Sequence, residues 1–186
     1  WVNGVSTDNF ALGKADEVLG SALTINIDER TDSVTIFYKT LPGATALQWL
    51  DASQTLDKKH PFLYTQSQSI YARTWIPCQD GPGIRFTYDA TVTTPKGLLA
   101  LMSAENPKQK SDDGVYHFKM TQPIPAYLMA LAVGDIWSKS INDQITVYAE
   151  KSLLAKAANE ISETDQMMVA AENLYGKYAW DKYDVL

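Results

Sequence analysis

Short stretches in which apolar and polar residues alternate one by one fill most of this 186-residue sequence, and they restrict the fold more than any other feature. In the clearest stretch, Ile84–Val92, every second residue is apolar and the residues between them are polar or charged. Successive side chains of a strand point to opposite faces of a sheet. The pattern therefore predicts an antiparallel strand with one buried face and one wet face.

Five further strands are predicted from similar patterns: Leu23–Ile27, Val34–Lys39, Leu98–Ser103, Val115–Met120 and Tyr127–Val133. Between the later ones lie turns rich in Pro, Gly, Asn and Asp, such as Thr94–Gly97 and Asp112–Gly114. Many short strands with such regular turns predict a mainly β fold, either an antiparallel saddle-shaped sheet or a sandwich.

The pattern changes in the last part of the chain, so a domain boundary is placed near residues 134–143. One more strand, Gln144–Glu150, is followed by a helix with apolar residues on one face over Ser152–Ile161. A second helix is predicted to be capped by Ser162, with Asp165 as a capping partner, and to end at Gly176. The final run, residues 183–186, is expected to be the start of a strand.

Composition excludes several classes of protein. Hydrophobic residues make up 45% of the chain and charged residues 20%, which is typical of a globular domain. The net charge is −6, and the Lys and Arg residues are dispersed, so neither nucleic acid nor an anionic membrane is an expected partner. The longest apolar run, Ala126–Val133, is too short for a membrane span. The single cysteine, Cys78, excludes an internal disulfide and favours a reducing compartment such as the cytoplasm.

No catalytic or metal-binding residues are predicted within the chain. Its two histidines, His60 and His117, are far apart and belong to no metal-ligand pattern, and each is expected to be an ordinary surface or hydrogen-bonded side chain. No HExxH, serine hydrolase, P-loop or dinucleotide signature occurs.

Two glutamines, Gln66 and Gln68, form the most unusual feature of the sequence. Separated by one residue, they project to the same side of an extended chain. Each side-chain amide can accept and donate a hydrogen bond, so the pair could hold the free amine or the backbone of a substrate. The alternative is a glutamine pair on a solvated strand face, and the spacing alone favours this alternative.

The motifs around this pair resemble those of a known family. They are Gln66-Ser67-Gln68, Ala72-Arg73 and Pro77-Cys78-x-Asp80-x-Pro82, with further matches in the same order at residues 38–40, 46–50, 100–104, 123–128, 132–134, 162–164 and 183–184. Together they resemble the zinc aminopeptidase family of aminopeptidase N, and within it the leukotriene A(4) hydrolase branch. The likeness covers nearly the whole chain.

The resemblance implies both a fold and an activity. Residues 1–138 would be an N-terminal β-saddle domain lacking its first strands, and residues 140–186 the opening strand and two helices of a truncated thermolysin-like α/β catalytic domain. The parent would be a zinc-dependent metallo-aminopeptidase that removes N-terminal residues from peptides. Its zinc ligands and general base would lie beyond Leu186, in the remaining catalytic and C-terminal domains of the same chain. The fragment alone is therefore expected to be inactive.

The resemblance also assigns roles to individual residues. Gln68 matches the position that helps bind the free α-amino group of the substrate, Gln66 matches a neighbouring pocket residue, and Ser67 lies between them. These three are the predicted substrate-binding residues. Arg73 and Asp80 are expected to form an ion pair.

Two further expectations concern packing. Cys78 is expected to be a small, buried, unreactive side chain, because nothing near it in the sequence would lower its pKa. Trp49, Trp75 and Trp137 are expected in the core.

A second hypothesis is a stand-alone β-sandwich module that binds peptide or carbohydrate. The many strands and the Tyr and Trp content support it, and it predicts ligand binding by the isolated chain. It gives no purpose to the helices after residue 150.

Overall fold

The computed structural model describes residues 1–186. Its strands and α-helices, in chain order, are β1 (Phe10–Leu12), β2 (Leu23–Ile25), β3 (Leu47–Leu50), β4 (Phe62–Thr65), β5 (Arg85–Thr93), β6 (Leu99–Met102), β7 (Val115–Pro125), β8 (Leu131–Gly134), β9 (Ile136–Ser140), β10 (Ile145–Glu150), α1 (Leu154–Glu160), α2 (Thr164–Tyr175) and β11 (Tyr183–Val185). The prediction of a mainly β fold followed by two helices is confirmed. No helix has both the length and the hydropathy needed to cross a membrane.

The strands form four sheets. The largest has the order β3-β4-β8-β6, β5 pairs with β7, β1 pairs with β2, and a three-stranded sheet has the order β11-β10-β9. Every pair is antiparallel except β10 with β11. The predicted boundary at residues 138–140 falls within β9, which pairs with β10 over its whole length. The division of the chain into two domains stays a prediction.

The core lies where the β5–β7 ribbon packs against β6 and β8. On β5 the predicted alternation is confirmed from Phe86 onward, because Phe86, Tyr88, Ala90 and Val92 face inward and the residues between them are exposed. Ile84, also predicted on the buried face, precedes the strand and is 45% exposed. All four residues of β6 are buried, and the largest buried cluster joins this strand to β7 through Tyr116 and Phe118. Burying one large apolar side chain stabilises the fold by about 1.5–3 kcal/mol, so this cluster dominates its stability.

Two of the predicted strands are wrong in extent. Within Val34–Lys39 only Val34 makes a β-bridge, to Val2, because no strand of the chain lies alongside residues 36–39. Within Tyr127–Val133 the first part is a 3₁₀ turn, Ala126–Leu128, closed by a hydrogen bond from the Met129 N–H to the Ala126 carbonyl. An apolar pattern identifies a buried face, but a strand also needs a neighbour for its backbone groups.

The helices agree with the prediction in position but not in capping. The Ser162 hydroxyl donates to the Asn159 carbonyl at the end of α1, and it accepts no hydrogen bond from a backbone N–H of α2. The residue that precedes α2 is instead Glu163, which makes no capping hydrogen bond with its side chain. Gly176 ends α2 as predicted, with a positive φ of +93° that glycine adopts without a steric penalty.

Candidate functional site

The candidate site begins where β4 leaves the centre of the four-stranded sheet. β4 is hydrogen-bonded to β3 on one side and to β8 on the other. Beyond Thr65 the backbone stays attached, because the Gln66 N–H donates to the Ala46 carbonyl at 2.9 Å. The segment Gln66–Gln68 is therefore presented by a well-supported strand rather than by a long loop.

The three residues of this segment differ in exposure. Gln66 and Gln68 are exposed, and Ser67 between them is buried. The Ser67 hydroxyl accepts a hydrogen bond from Trp75 Nε1 at 3.0 Å, and its carbonyl accepts from the Tyr71 N–H at 2.9 Å. Ser67 thus anchors the segment, while the two glutamines share its exposed side.

The two glutamine amides are not equivalent. Gln66 Oε1 accepts a hydrogen bond from the Gln68 N–H at 3.2 Å, so this oxygen helps to fix the local backbone. The Gln68 side-chain amide makes no hydrogen bond within the chain, which leaves its oxygen and its NH2 group free for a ligand. The peptide bond between Gln68 and Ser69 is cis.

The turn that follows is held by the predicted ion pair. Arg73 Nε lies 3.2 Å from Asp80 Oδ2, Arg73 Nη2 donates to the Asp80 carbonyl at 2.8 Å, and the Arg73 N–H also donates to Asp80 Oδ2. The Asp80 side chain is only 2% exposed. The buried Asp80 carboxylate accepts from both the Nε and the backbone N–H of Arg73, and these bonds close the turn between residues 73 and 80.

Cys78 and the tryptophans only partly follow the expectations about packing. Burial first, then the neighbouring Asp80 charge, raises the pKa of the Cys78 thiol to about 11, which favours the protonated form; the low reactivity of Cys78 stays a prediction. It is half-buried rather than fully buried. Trp75 belongs to the core, but Trp49 and Trp137 are 64% and 41% exposed, so their assignment to the core was wrong. Each of these two lies on the outward face of its strand.

No cluster in the chain suits a metal ion. His117 is exposed, with Nδ1 3.1 Å from Thr91 Oγ1, as expected of an ordinary surface histidine. His60 is also exposed, and no three His, Cys, Asp or Glu side chains converge to form a ligand set. The residues present therefore do not fit a zinc ion.

Two large grooves lie outside the glutamine segment. One of about 1140 Å³ separates residues 19–44 from residues 73–80, and one of about 930 Å³ lies between the sheets and residues 178–186. Neither is lined by Gln66, Ser67 or Gln68, although Tyr64 and Thr65 border the second.

The second groove contains a contact that the sequence analysis missed. The Asn106 side chain bonds both the N–H and the carbonyl of Met102 and donates to Asp184 Oδ2 at 2.9 Å, which ties β6 to β11. Burial raises the pKa of Asp184 against the opposing effect of this hydrogen bond. No local signal could have revealed the contact, because its partners are far apart in the sequence.

Comparison with known proteins gives a consistent result. Residues 3–128 match the family model described as the peptidase M1 N-terminal domain. The whole chain is 40% identical to leukotriene A-4 hydrolase of Xenopus laevis, covering 32% of that protein, and 39% identical to leucine aminopeptidase 2 of Yarrowia lipolytica, covering 29% of it.

A solved structure extends this likeness to the fold. The structure of leukotriene A4 hydrolase from Saccharomyces cerevisiae superposes on 99% of the chain with a TM-score of 0.86 and 32% identity. The chain spans 29% of that protein, so less than a third of the length of each of these relatives is represented.

Proposed function

Because the chain belongs to the peptidase M1 family and contains its N-terminal domain, we propose that it is part of a zinc-dependent aminopeptidase and supplies one wall of the pocket for the substrate's free amine. The observation that carries this proposal is the exposed segment Gln66–Gln68, held at the end of a central strand and followed by the Arg73–Asp80 pair. The peptide substrate would approach with its N-terminus toward these two glutamines.

Gln68 is the proposed contact for the substrate's ammonium group. Its side-chain oxygen has no partner within the chain and can accept an N–H bond from a cation without bringing a second charge into the site. A hydrogen bond to a charged group is worth more than a neutral one, about 1.5–3 kcal/mol. The buried neighbour Ser67 fixes the backbone from which the Gln68 side chain projects.

Gln66 and Ser67 have supporting roles in this proposal. The oxygen of Gln66 is engaged by the Gln68 N–H, so Gln66 offers its NH2 group to a substrate carbonyl. Ser67 fixes both glutamines by accepting from Trp75. Its contribution to substrate binding is therefore through position rather than contact.

The chemical step belongs to residues outside these 186. When bound in the parent enzyme, zinc supplies a polarised water for attack on the first peptide bond. Its ligands and the general base would come from the part of the family's length that this chain does not span. The isolated chain is therefore proposed to be inactive. If purified residues 1–186 hydrolyse an aminoacyl substrate, and this activity copurifies with the chain, the proposal is contradicted.

Replacing Gln68 in the complete enzyme tests the assignment. Gln68→Ala removes the accepting oxygen, and we expect kcat/KM for a peptide with a free N-terminus to fall about tenfold or more. Gln68→Glu keeps an acceptor and adds a charge, so it should retain ammonium binding. Steady-state kinetics with free and N-acetylated peptides measures both effects.

The control is Gln109→Ala, which removes an exposed glutamine elsewhere. It should leave kcat/KM unchanged. Unchanged kinetics for Gln68→Ala, or an equal loss with both variants, would show that Gln68 does not bind the amine.

A further inference from the structure

Two consecutive residues, Thr74 and Trp75, hold the glutamine segment Gln66–Gln68 in place. They lie at the end of a 3₁₀ turn, Ala72–Thr74, a few residues after the segment. Both fall between the motifs that resemble the zinc aminopeptidases, so the resemblance assigns them no role. Their contacts suggest one, because the two side chains bind different parts of the segment and its support.

Thr74 secures the point at which the segment joins the large sheet. Its hydroxyl accepts the Ala46 N–H at 3.1 Å and donates to the Tyr71 carbonyl at 2.8 Å. Ala46 is fully buried, and its carbonyl is the group that accepts the Gln66 N–H. A single hydroxyl therefore links the turn to the residue on which the backbone of Gln66 is hydrogen-bonded.

Trp75 secures the middle of the segment. Its Nε1 donates to Ser67 Oγ at 3.0 Å, and both residues are buried. The backbone of the same turn adds a second bond, from the Tyr71 N–H to the Ser67 carbonyl. Loss of the indole bond would leave a buried donor without a partner, which costs free energy, so this bond keeps the Ser67 side chain facing inward.

The placement of Ser67 decides the direction of both glutamines. Exposed Gln66 and Gln68 flank the buried Ser67, so the three side chains alternate between solvent and interior. A backbone rotation that moved Ser67 outward would turn the glutamines away from the exposed side that they share. Thr74 and Trp75 oppose this rotation at two separate points.

The turn that carries these two residues is itself well supported. The Thr74 N–H donates to the Tyr71 carbonyl at 3.0 Å, and the Trp75 N–H donates to the Ala72 carbonyl at 3.1 Å. Arg73, between them, is bound to the buried Asp80 carboxylate through both its backbone N–H and its Nε. Side chains that act by position need such a fixed support.

We propose that Thr74 and Trp75 are positioning residues for recognition of the substrate's free amine and that they act through Gln68. This inference rests on the proposed function, in which Gln68 accepts a hydrogen bond from the ammonium group. The Gln68 side chain makes no hydrogen bond within the chain, so its placement depends on the backbone that carries it. A hydrogen bond is directional, so a shift of that backbone would weaken the contact with the substrate.

Matched substitutions of Thr74 in the complete enzyme test the proposal. Thr74→Val keeps the shape of the side chain and removes the hydroxyl, and we expect kcat/KM for a peptide with a free N-terminus to fall about three- to tenfold. The loss should divide between KM and kcat in the same proportion as the loss in Gln68→Ala. Thr74→Ser keeps the hydroxyl and should restore most of the activity.

A double-mutant cycle with Gln68→Ala separates positioning from a merely structural role. If Thr74 acts through Gln68, Thr74→Val should cost less than about twofold in the Gln68→Ala background, because the contact that it positions is already gone. Trp75→Phe keeps an aromatic ring and removes the N–H donor, and its effect should depend on Gln68 in the same way. Melting temperatures report how much stability each variant loses.

The matched control is Thr55→Val. The Thr55 hydroxyl also donates to the carbonyl three residues earlier, that of Ala52 at 2.8 Å, and Thr55 is buried. Thr55 makes no hydrogen bond with the glutamine segment or with its support. Thr55→Val should therefore leave kcat/KM within about twofold of the parent.

Three results would overturn the proposal: an equal loss in Thr55→Val, an equal loss in Thr74→Ser, or a loss in Thr74→Val that is undiminished in the Gln68→Ala background. If Gln68→Ala has its expected effect and Thr74→Val has none, this proposal fails and the proposed amine contact stands. If Gln68→Ala itself leaves kcat/KM unchanged, the amine contact fails and this proposal fails with it.

Discussion

The first 43 residues and the sheets that follow them have similar sequence patterns but very different burial. In residues 1–43 no side chain is buried, and Ile27, for example, is 60% exposed. In β5, β6 and β7 the inward residues are covered, and Ile124 is 2% exposed. The difference lies in neighbours, because β1 and β2 pair only with each other whereas β4 and β8 each pair on both sides. An alternating pattern selects a face, and only a packed partner makes that face part of the core.

The largest expected effect compares one substitution in the two regions. Phe118→Ala empties a site on β7 that is 3% exposed and should lower the free energy of unfolding by about 3–5 kcal/mol. Phe37→Ala removes a ring that is 76% exposed and should cost less than about 1 kcal/mol. Urea denaturation of the purified protein measures both values. Equal costs would mean that residues 1–43 are packed in solution and would remove the contrast.

The ion pairs of the two regions should differ in the same way. Arg73 and Asp80 have side chains that are 26% and 2% exposed, whereas Arg30 and Asp28 are 90% and 62% exposed at the same separation of 3.2 Å. Arg73→Ala leaves a buried carboxylate without its cation and should cost about 3 kcal/mol. Arg30→Ala should have no measurable effect, since exposed pairs are worth little. Urea denaturation in low and high salt measures the free energy of unfolding of both variants. A large loss of stability for Arg30→Ala would contradict the comparison.

Cys78 reports on the groove between the two regions. Its pKa of about 11 arises mainly from burial, so only a small fraction of the thiol is ionised at pH 8. Alkylation by iodoacetamide at that pH should be about tenfold to a hundredfold slower than for a free cysteine, because the smaller ionised fraction outweighs the higher nucleophilicity of a more basic thiolate, and the rate should rise steeply as the pH approaches 11. A thiol that reacts at the free rate would show that residues 19–44 do not cover it.

The parts of the fold that could be predicted are those fixed by local chemistry. The faces of β5, the position of the helices and the Gly176 stop depend on residues close together in the sequence. The Arg73–Asp80 pair was also predictable, because a turn closes the short distance between the two residues. The failures at Val34–Lys39 and at Ser162 have causes outside the local sequence. Residues 36–39 have no neighbouring strand, and the Ser162 hydroxyl bonds the end of α1 rather than the start of α2.

The candidate site shows the same limit. The shared side of Gln66 and Gln68 follows from the extended backbone, but the burial of Ser67 depends on Trp75, which the spacing does not reveal. The resemblance to a family supplied the proposed roles, which the residues alone would not have favoured.

The smallest expected effect concerns Asp184, which joins β11 to the well-packed region through Asn106. Burial raises the pKa of Asp184 above its ordinary value, so the folded state binds its proton more tightly than the unfolded state. Its contribution to stability is therefore fully present below the unfolded pKa of about 3.9 and is lost as the pH rises through the folded pKa.

Asp184→Asn removes this titration, so relative to the variant the parent should become less stable as the pH increases from about 3 to 7. Asp181→Asn, at an exposed carboxylate in the same segment, is the control and should run parallel to the parent. Urea denaturation across this pH range measures the difference in the free energy of unfolding between the parent and Asp184→Asn. If the parent instead gains stability over the variant as the pH rises, the sign is reversed, and the Asn106 hydrogen bond outweighs burial.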